Sequence, residues 1–243
     1  MKKRINAKHV ILIGVIIIIL ICMGLLLHFG LVQFNNPSID IYPVRGIDVS
    51  EYQGSIDWAL LSSQNIEFAF IKATEGSQYV DPCFAYNWEE AAKAGLRIGA
   101  YHFFSFDSPG QTQAENYIST VKKAEGMLPP VVDVEPYGEY KRTAKPTKDV
   151  LPELNAMLHI LEMEYGTKPI LYATQAAYDL YLSSEYNEYP LWIRSVYTFP
   201  IMDRWTFWQY SDRVVLPGYS GEERFIDMNL FRGTMDEFKK AFR

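Results

Sequence analysis

Residues 128–135 read LPPVVDVE, a valine-rich apolar run that ends in two carboxylates, Asp133 and Glu135. β-Branched residues suit a pleated, half-buried surface, so residues 128–134 are read as a strand. Apolar strands seldom end in acids by chance, because burying an unpaired charge is costly. The same pattern recurs on either side. Further candidate strands lie at 45–49, 66–73, 96–104, 169–173, 190–194, 206–210 and 224–230. Helical patterns lie at 56–64, 83–94, 109–124, 147–165, 175–182 and 235–242. Gly95 and Gly166 are placed as C-cap glycines, and Pro109 in a first helical turn. Strands separated by helices imply parallel pairing through right-handed crossovers. The fold class is therefore α/β, a TIM-like (β/α) barrel over 45–243 with some helices shortened or missing.

A barrel of this kind carries its functional groups at the C-terminal ends of its strands. The polar residues expected there are Asp48, Glu75, Tyr101, His102, Asp133, Glu135, Tyr172, Trp192, Arg194, Gln209, Tyr210 and Asp227. Four acids from distant stretches, Asp48, Asp133, Glu135 and Asp227, thus converge on one expected mouth.

The N-terminus sets a different expectation. Residues 10–27 are an unbroken run of apolar residues and glycine. A helix rising ~1.5 Å per residue needs ~20 apolar residues to cross a hydrocarbon core. Lys2, Lys3, Arg4 and Lys8 precede the run and no charge closes it, so residues 1–30 are read as a cytoplasmic tail and transmembrane anchor, with membrane contact over 10–30. A cleaved signal peptide, and hence a secreted protein, is the alternative. Its apolar region would be ~7–15 residues long, with a small-residue cleavage site that this sequence lacks. Residues 31–44 are read as a short linker. Fully extended it spans at most ~50 Å, which keeps the outer domain near the membrane.

Composition excludes several classes. Of 243 residues, 49% are hydrophobic and 21% charged, which excludes global disorder. Residues 1–36 carry four of the 23 basic residues and none of the 29 acidic ones. The remainder is strongly acidic, which argues against nucleic acid as its partner. Two cysteines, Cys22 and Cys83, make no disulfide framework. Of four histidines, His9 and His28 lie in or beside the anchor, and His159 reads as a helix-face residue, so a histidine-rich metal site is not expected.

In a strand, Asp133 and Glu135 point to the same face ~6.6 Å apart. Two carboxyls that close in a partly dry cleft do not ionise independently: one keeps a proton near neutral pH while the other stays an anion. Glycoside hydrolysis needs that pair, an acid for the leaving oxygen and an anion against the positive sugar. The spacing falls between the retaining and inverting ranges, and substrate assistance is a third route. Phe103, Phe104, Phe106, Trp205, Phe207, Trp208 and Tyr210 offer faces for sugar rings, about half of them being expected in the core.

These motifs resemble the family 25 glycoside hydrolases, the Chalaropsis-type lysozymes or N,O-diacetylmuramidases. The resemblance rests on RGIDVS (45–50), FIKATEG (70–76), DP (81–82), GAYHF (99–104 with its following Phe), PVVDVE (130–135), LWI (191–193), WQY (208–210) and IDMN (226–229), in order across the outer domain. It implies an incomplete barrel, no metal and no cofactor, and cleavage of the β-1,4 bond between N-acetylmuramic acid and N-acetylglucosamine in peptidoglycan. It implies Glu135 as general acid, Asp133 as its neighbouring carboxylate, Asp48 and Asp227 as the other site acids, and Glu75, Tyr101 and Gln209 along the sugar groove. Arg194 departs from the expected small residue. Its guanidinium either meets a muramic lactate or peptide carboxylate, or pairs with a wall acid such as Asp227.

The expected protein is a single-pass, membrane-held muramidase, N-terminus inside and barrel outside, acting on glycan near the membrane. Envelope-spanning secretion or conjugation machinery is a conceivable partner. The rival readings are a chitinase-like glycosidase, whose pattern would want an Asp where Val131 stands, and a non-catalytic wall-binding module.

Overall fold

The computed structural model describes residues 7–30 and 32–242. Lys2, Lys3 and Arg4 of the expected tail lie outside the described residues. The strands are β1 (Arg45–Val49), β2 (Phe68–Glu75), β3 (Tyr79–Val80), β4 (Arg97–Phe103), β5 (Val131–Asp133), β6 (Ile170–Thr174), β7 (Leu191–Arg194), β8 (Phe207–Val214) and β9 (Ile226–Phe231). The helices are α1 (Ala7–His28), α2 (Trp58–Ser62), α3 (Phe84–Lys93), α4 (Gly110–Thr120), α5 (Thr147–Tyr165), α6 (Gln175–Ala177, running into a π turn at Tyr178–Leu182) and α7 (Met235–Ala241).

Eight strands close into a barrel in the order β1-β9-β8-β7-β6-β5-β4-β2, with β2 pairing back onto β1 and β3 flanking β2. Within the barrel all neighbours are parallel except those of β9, which runs antiparallel to both β8 and β1; the flanking β3 is also antiparallel to β2. That corrects the expectation of parallel pairing throughout. A parallel return needs a crossover of a dozen or more residues, usually helical, and the short connection 215–225 carries no helix. The β7–β8 connection also has none, so the missing helices of the barrel sit on this side. Gly95 and Gly166 take φ of 85° and 72°, as helix-ending glycines do.

Strand alternation sorts the apolar residues into two cores. Ile47, Ala69, Ile71, Ala100, Val132, Leu171 and Ile193 face outward against the helices. Phe68, Phe70, Val131, Ile170, Trp192, Phe207 and Phe231 face inward, and Phe238 of α7 joins them from below. Phe68 meets Phe207 at 5.2 Å and Phe238 at 5.6 Å between ring centroids, and Trp192 stacks on Phe70 at 4.4 Å. This aromatic plug fills the lower barrel and forms a firm floor beneath the mouth. It needs room on the neighbouring strands. A Cβ at Gly46 would lie 2.3 Å from the Phe68 ring, and one at Gly99 would lie 2.7 Å from Phe70.

α1 is apolar, and the side chains described along it are largely exposed. The segment read as a linker is not a loose tether. Asn35 donates from Nδ2 to the carbonyls of Ser195 (2.9 Å) and Thr198 (3.2 Å). Arg45 donates to the Pro37 carbonyl, and Tyr42 packs on Trp205. Pro37 and Pro43 lower the backbone freedom this segment gives up on docking.

The plug makes Gly46→Ala destabilising by about 1–3 kcal/mol, the usual range for overpacking a filled core. Chemical denaturation of the full chain checks this; an unchanged midpoint would show that the rings yield freely.

Candidate active site

The mouth is built by strand register. Asp48 on β1 stands directly opposite Asp227 on β9; such cross-strand partners hold their Cβ atoms ~5 Å apart. Asp133 ends β5 between Phe103 of β4 and Tyr172 of β6. The Val134 amide still donates to the Tyr172 carbonyl (2.9 Å), so the extended path continues and carries Glu135 one step further out on the same face. Asp48, Asp133, Glu135 and Asp227 all line one cavity of about 490 Å³. Tyr101, Tyr172, Trp192, Arg194 and Gln209 line it too. Glu75 and Tyr210 are not among its lining residues. Glu75 stands outside, 2.8 Å from the Nζ of Lys72, which does line the cavity. Tyr210 points to the outer core, under the Arg45 guanidinium at 5.0 Å.

Two amides hold the acids. Gln209 donates from Nε2 to Oδ2 of Asp48 (2.9 Å) and of Asp227 (3.0 Å). Asn229 donates from Nδ2 to the same Asp48 oxygen (2.8 Å). Both amides are themselves oriented. The Tyr172 hydroxyl donates to Gln209 Oε1 (2.9 Å) and the Trp192 indole to Asn229 Oδ1 (2.8 Å). A hydroxyl or indole donor claims the amide oxygen, which turns the NH₂ toward the carboxylates.

Burial dominates the electrostatics. It pushes Asp133 and Asp227 well above the usual carboxylate range. The charges of Glu135 and Asp48 push Asp133 further, and those of Asp48 and Asp212 push Asp227. Burial also raises Asp48, opposed by the amides of Asn229 and Gln209. It raises Glu135, opposed by the charges of Arg194 and Lys141. Oδ1 of Asp133 is buried with no hydrogen-bond partner. The pull toward the neutral form is therefore strongest on Asp133 and Asp227, not on Glu135. Asp133 sits inside the barrel wall, whereas Glu135 stands half-buried at the rim near cations.

Arg194 pairs with Asp212, 2.6 Å away, rather than with Asp227. Asp212 was not foreseen, because β8 runs four residues past the apolar segment that announced it. Lys72, Arg213 and Asn229 also went unassigned. Lys72 was legible from strand period, two residues beyond the inward Phe70. His102 faces outward instead of into the cavity. It is buried between Thr74 Oγ1 (2.7 Å) and Gln113 Oε1 (3.0 Å), and burial lowers its pKa to about 4, so it is a neutral core residue. Of the aromatics expected on sugar, Phe103 lines the cavity. Phe104, Phe106, Trp205, Trp208 and Tyr210 belong to the outer core, and Phe207 to the plug. Among the described residues, no cluster of three His, Cys, Asp or Glu side chains could hold a metal ion.

A closed β/α barrel with buried acids from separate strands around one polar cavity is the layout of a hydrolase that works through carboxyl groups. The chain belongs to the glycosyl hydrolases family 25, whose family model matches residues 47–219. A solved family 25 glycosyl hydrolase from Bacillus anthracis is 51% identical, with a TM-score of 0.80 over 85% of this chain and 97% of that one. Lysozyme M1 of Streptomyces globisporus is 33% identical over 80% of this chain and 70% of its own length. The N,O-diacetylmuramidase of Chalaropsis is 28% identical over 81% and 98% respectively.

Asp133 carries a stability consequence. Its pKa is raised in the fold, so at a pH below the unfolded value, ~3.9, both states hold the proton and burial exacts no charge penalty. As pH rises toward the folded value, the unfolded state loses its proton first and stability falls, by up to about 1.4 kcal/mol per pH unit. Asp133→Asn removes this slope. The variant should match the parent in acid and exceed its denaturation midpoint at neutral pH; parallel curves would contradict the assignment.

Proposed function

We propose that this protein is a peptidoglycan muramidase that hydrolyses the β-1,4 bond from N-acetylmuramic acid to N-acetylglucosamine. The observation that carries the reading is the gathering of four carboxyl groups in one cavity of a family 25 barrel. The names lysozyme and N,O-diacetylmuramidase among its relatives support the substrate.

Glu135 is the proton donor to the glycosidic oxygen. It is the site acid nearest the rim, where the leaving sugar departs, and burial raises its pKa toward the protonated form a donor needs. Asp48, Asp133 and Asp227 supply the negative field that an oxocarbenium-like or oxazolinium-like transition state needs. Mutual repulsion leaves part of this set protonated, and the members that are ionised once substrate is bound face the positive charge developing at the anomeric carbon, so their attraction grows along the reaction with no further proton transfer. Gln209 and Asn229 fix the Asp48–Asp227 pair, and Arg194 and Lys72 keep the acidic cavity from excess charge. Glu75 acts, in this reading, through Lys72 at the groove's margin, whereas Tyr210 packs in the outer core.

α1 is the membrane anchor. Its 22 residues span ~33 Å, enough for the hydrocarbon core. With the basic residues on its N-terminal side, the barrel faces outward and works on the wall close to the membrane.

Glu135→Gln should keep the fold and lower turnover of purified peptidoglycan ~10²–10⁴-fold, the usual worth of a positioned proton donor. Mass spectrometry of the parent's fragments should show chains ending in reducing muramic acid. Full activity in the variant, fragments ending in N-acetylglucosamine, or binding without release would overturn the reading.

A further inference from the structure

We infer that the barrel rests on the outer leaflet through an apolar seat beside its catalytic rim, formed by residues 32–42 and the β7–β8 connection 195–205; this rests on α1 being a membrane anchor. The two segments are locked together. Asn35 binds the carbonyls of Ser195 and Thr198, the Phe34 ring meets Tyr197 at 5.0 Å, and Tyr42 lies 6.5 Å from Phe199.

What they present to the outside is rich in large apolar side chains. Phe34, Ile39, Ile41, Tyr197, Phe199 and Ile201 are all exposed, Ile201 at 81%, with the acids Asp40 and Asp203 exposed among them. Apolar side chains gathered in this number are a standing cost that a soluble surface avoids. Tyr197 beside a spanning helix matches the aromatic belt of membrane proteins, and Phe34, Phe199 and Ile201 are apolar enough to enter the lipid below it. The end of α1 meets the same barrel directly. Phe29 lies under the Arg224 guanidinium at 5.2 Å, and Gly30 packs so closely on the Arg213 carbonyl that a Cβ would stand 2.5 Å from it. The anchor therefore runs straight into the barrel. Arg213 and Arg224, at that junction, lie where the anchor leaves the bilayer and can meet lipid phosphates.

The seat lies at the catalytic end. Its β7–β8 connection leaves the barrel directly after Arg194, and Arg213, beside the anchor, lines the cavity. The cleft thus opens beside the bilayer, and the glycan it meets is the strand lying on the membrane surface, not the outer wall.

The test uses the full chain, with Cys22→Ser and Cys83→Ala, in phosphatidylcholine–phosphatidylglycerol vesicles. A polarity-sensitive fluorophore is attached at Ile201→Cys, or at Lys240→Cys on α7 at the far end of the barrel. Flotation after alkaline wash reports the anchor, and quenching by lipids spin-labelled near the headgroup reports the seat. The seat requires flotation of both proteins and severalfold stronger quenching at 201 than at 240. Flotation with equally weak quenching would overturn the seat and leave the anchor. A chain that fails to float would overturn both.

Discussion

The structure turns on four carboxyl groups drawn out of bulk water at the mouth of a barrel that has few cations to neutralise them. Strand walls bury Asp133 and half-bury Asp48, Glu135 and Asp227, and no hydrogen bond reaches Asp133 Oδ1. Neighbouring charges add to burial at Asp133 and Asp227 and raise the cost of ionising them. Such an arrangement survives because the rest of the barrel over-determines it. Register sets Asp48 against Asp227, and the Gln209 amide bridges them. The orientation of that amide is fixed in turn by Tyr172. The site therefore stores electrostatic strain that a cationic sugar would relieve.

The floor of the site is as constrained as its walls. Trp192 and Tyr172 contribute to the cavity, while Trp192 stacks on Phe70 in the aromatic plug. Glycine at 46 and 99 leaves the space the rings need. Packing of the lower barrel is thus transmitted directly to the indole that orients Asn229 and to the hydroxyl that orients Gln209. Stability at the bottom and chemistry at the top share the same side chains.

Much of this was legible in the sequence because apolar strands and terminal acids leave a local signature. Each acid was marked by the apolar strand it closes, and the alternation of strands and helices then brought the distant strand ends to one mouth. What was not legible depends on non-local choices. The direction of β9 is set by a short connection that admits no crossover helix. The extension of β8 to Asp212 is carried by polar residues that resemble a loop until they pair. Period two could have separated Gln209 from Tyr210, and Tyr101 from His102, since adjacent strand residues face opposite ways. The docking of Asn35 on the β7–β8 connection joins residues 160 apart, and no local pattern announces it.

Infrared difference spectroscopy of the full chain across the neutral pH range tests the central claim most directly, because protonated carboxyls absorb apart from carboxylates. The account predicts a protonated-carboxyl band that persists at neutral pH and weakens when Asp133 is replaced by Asn. A spectrum showing every carboxyl already ionised there would contradict it.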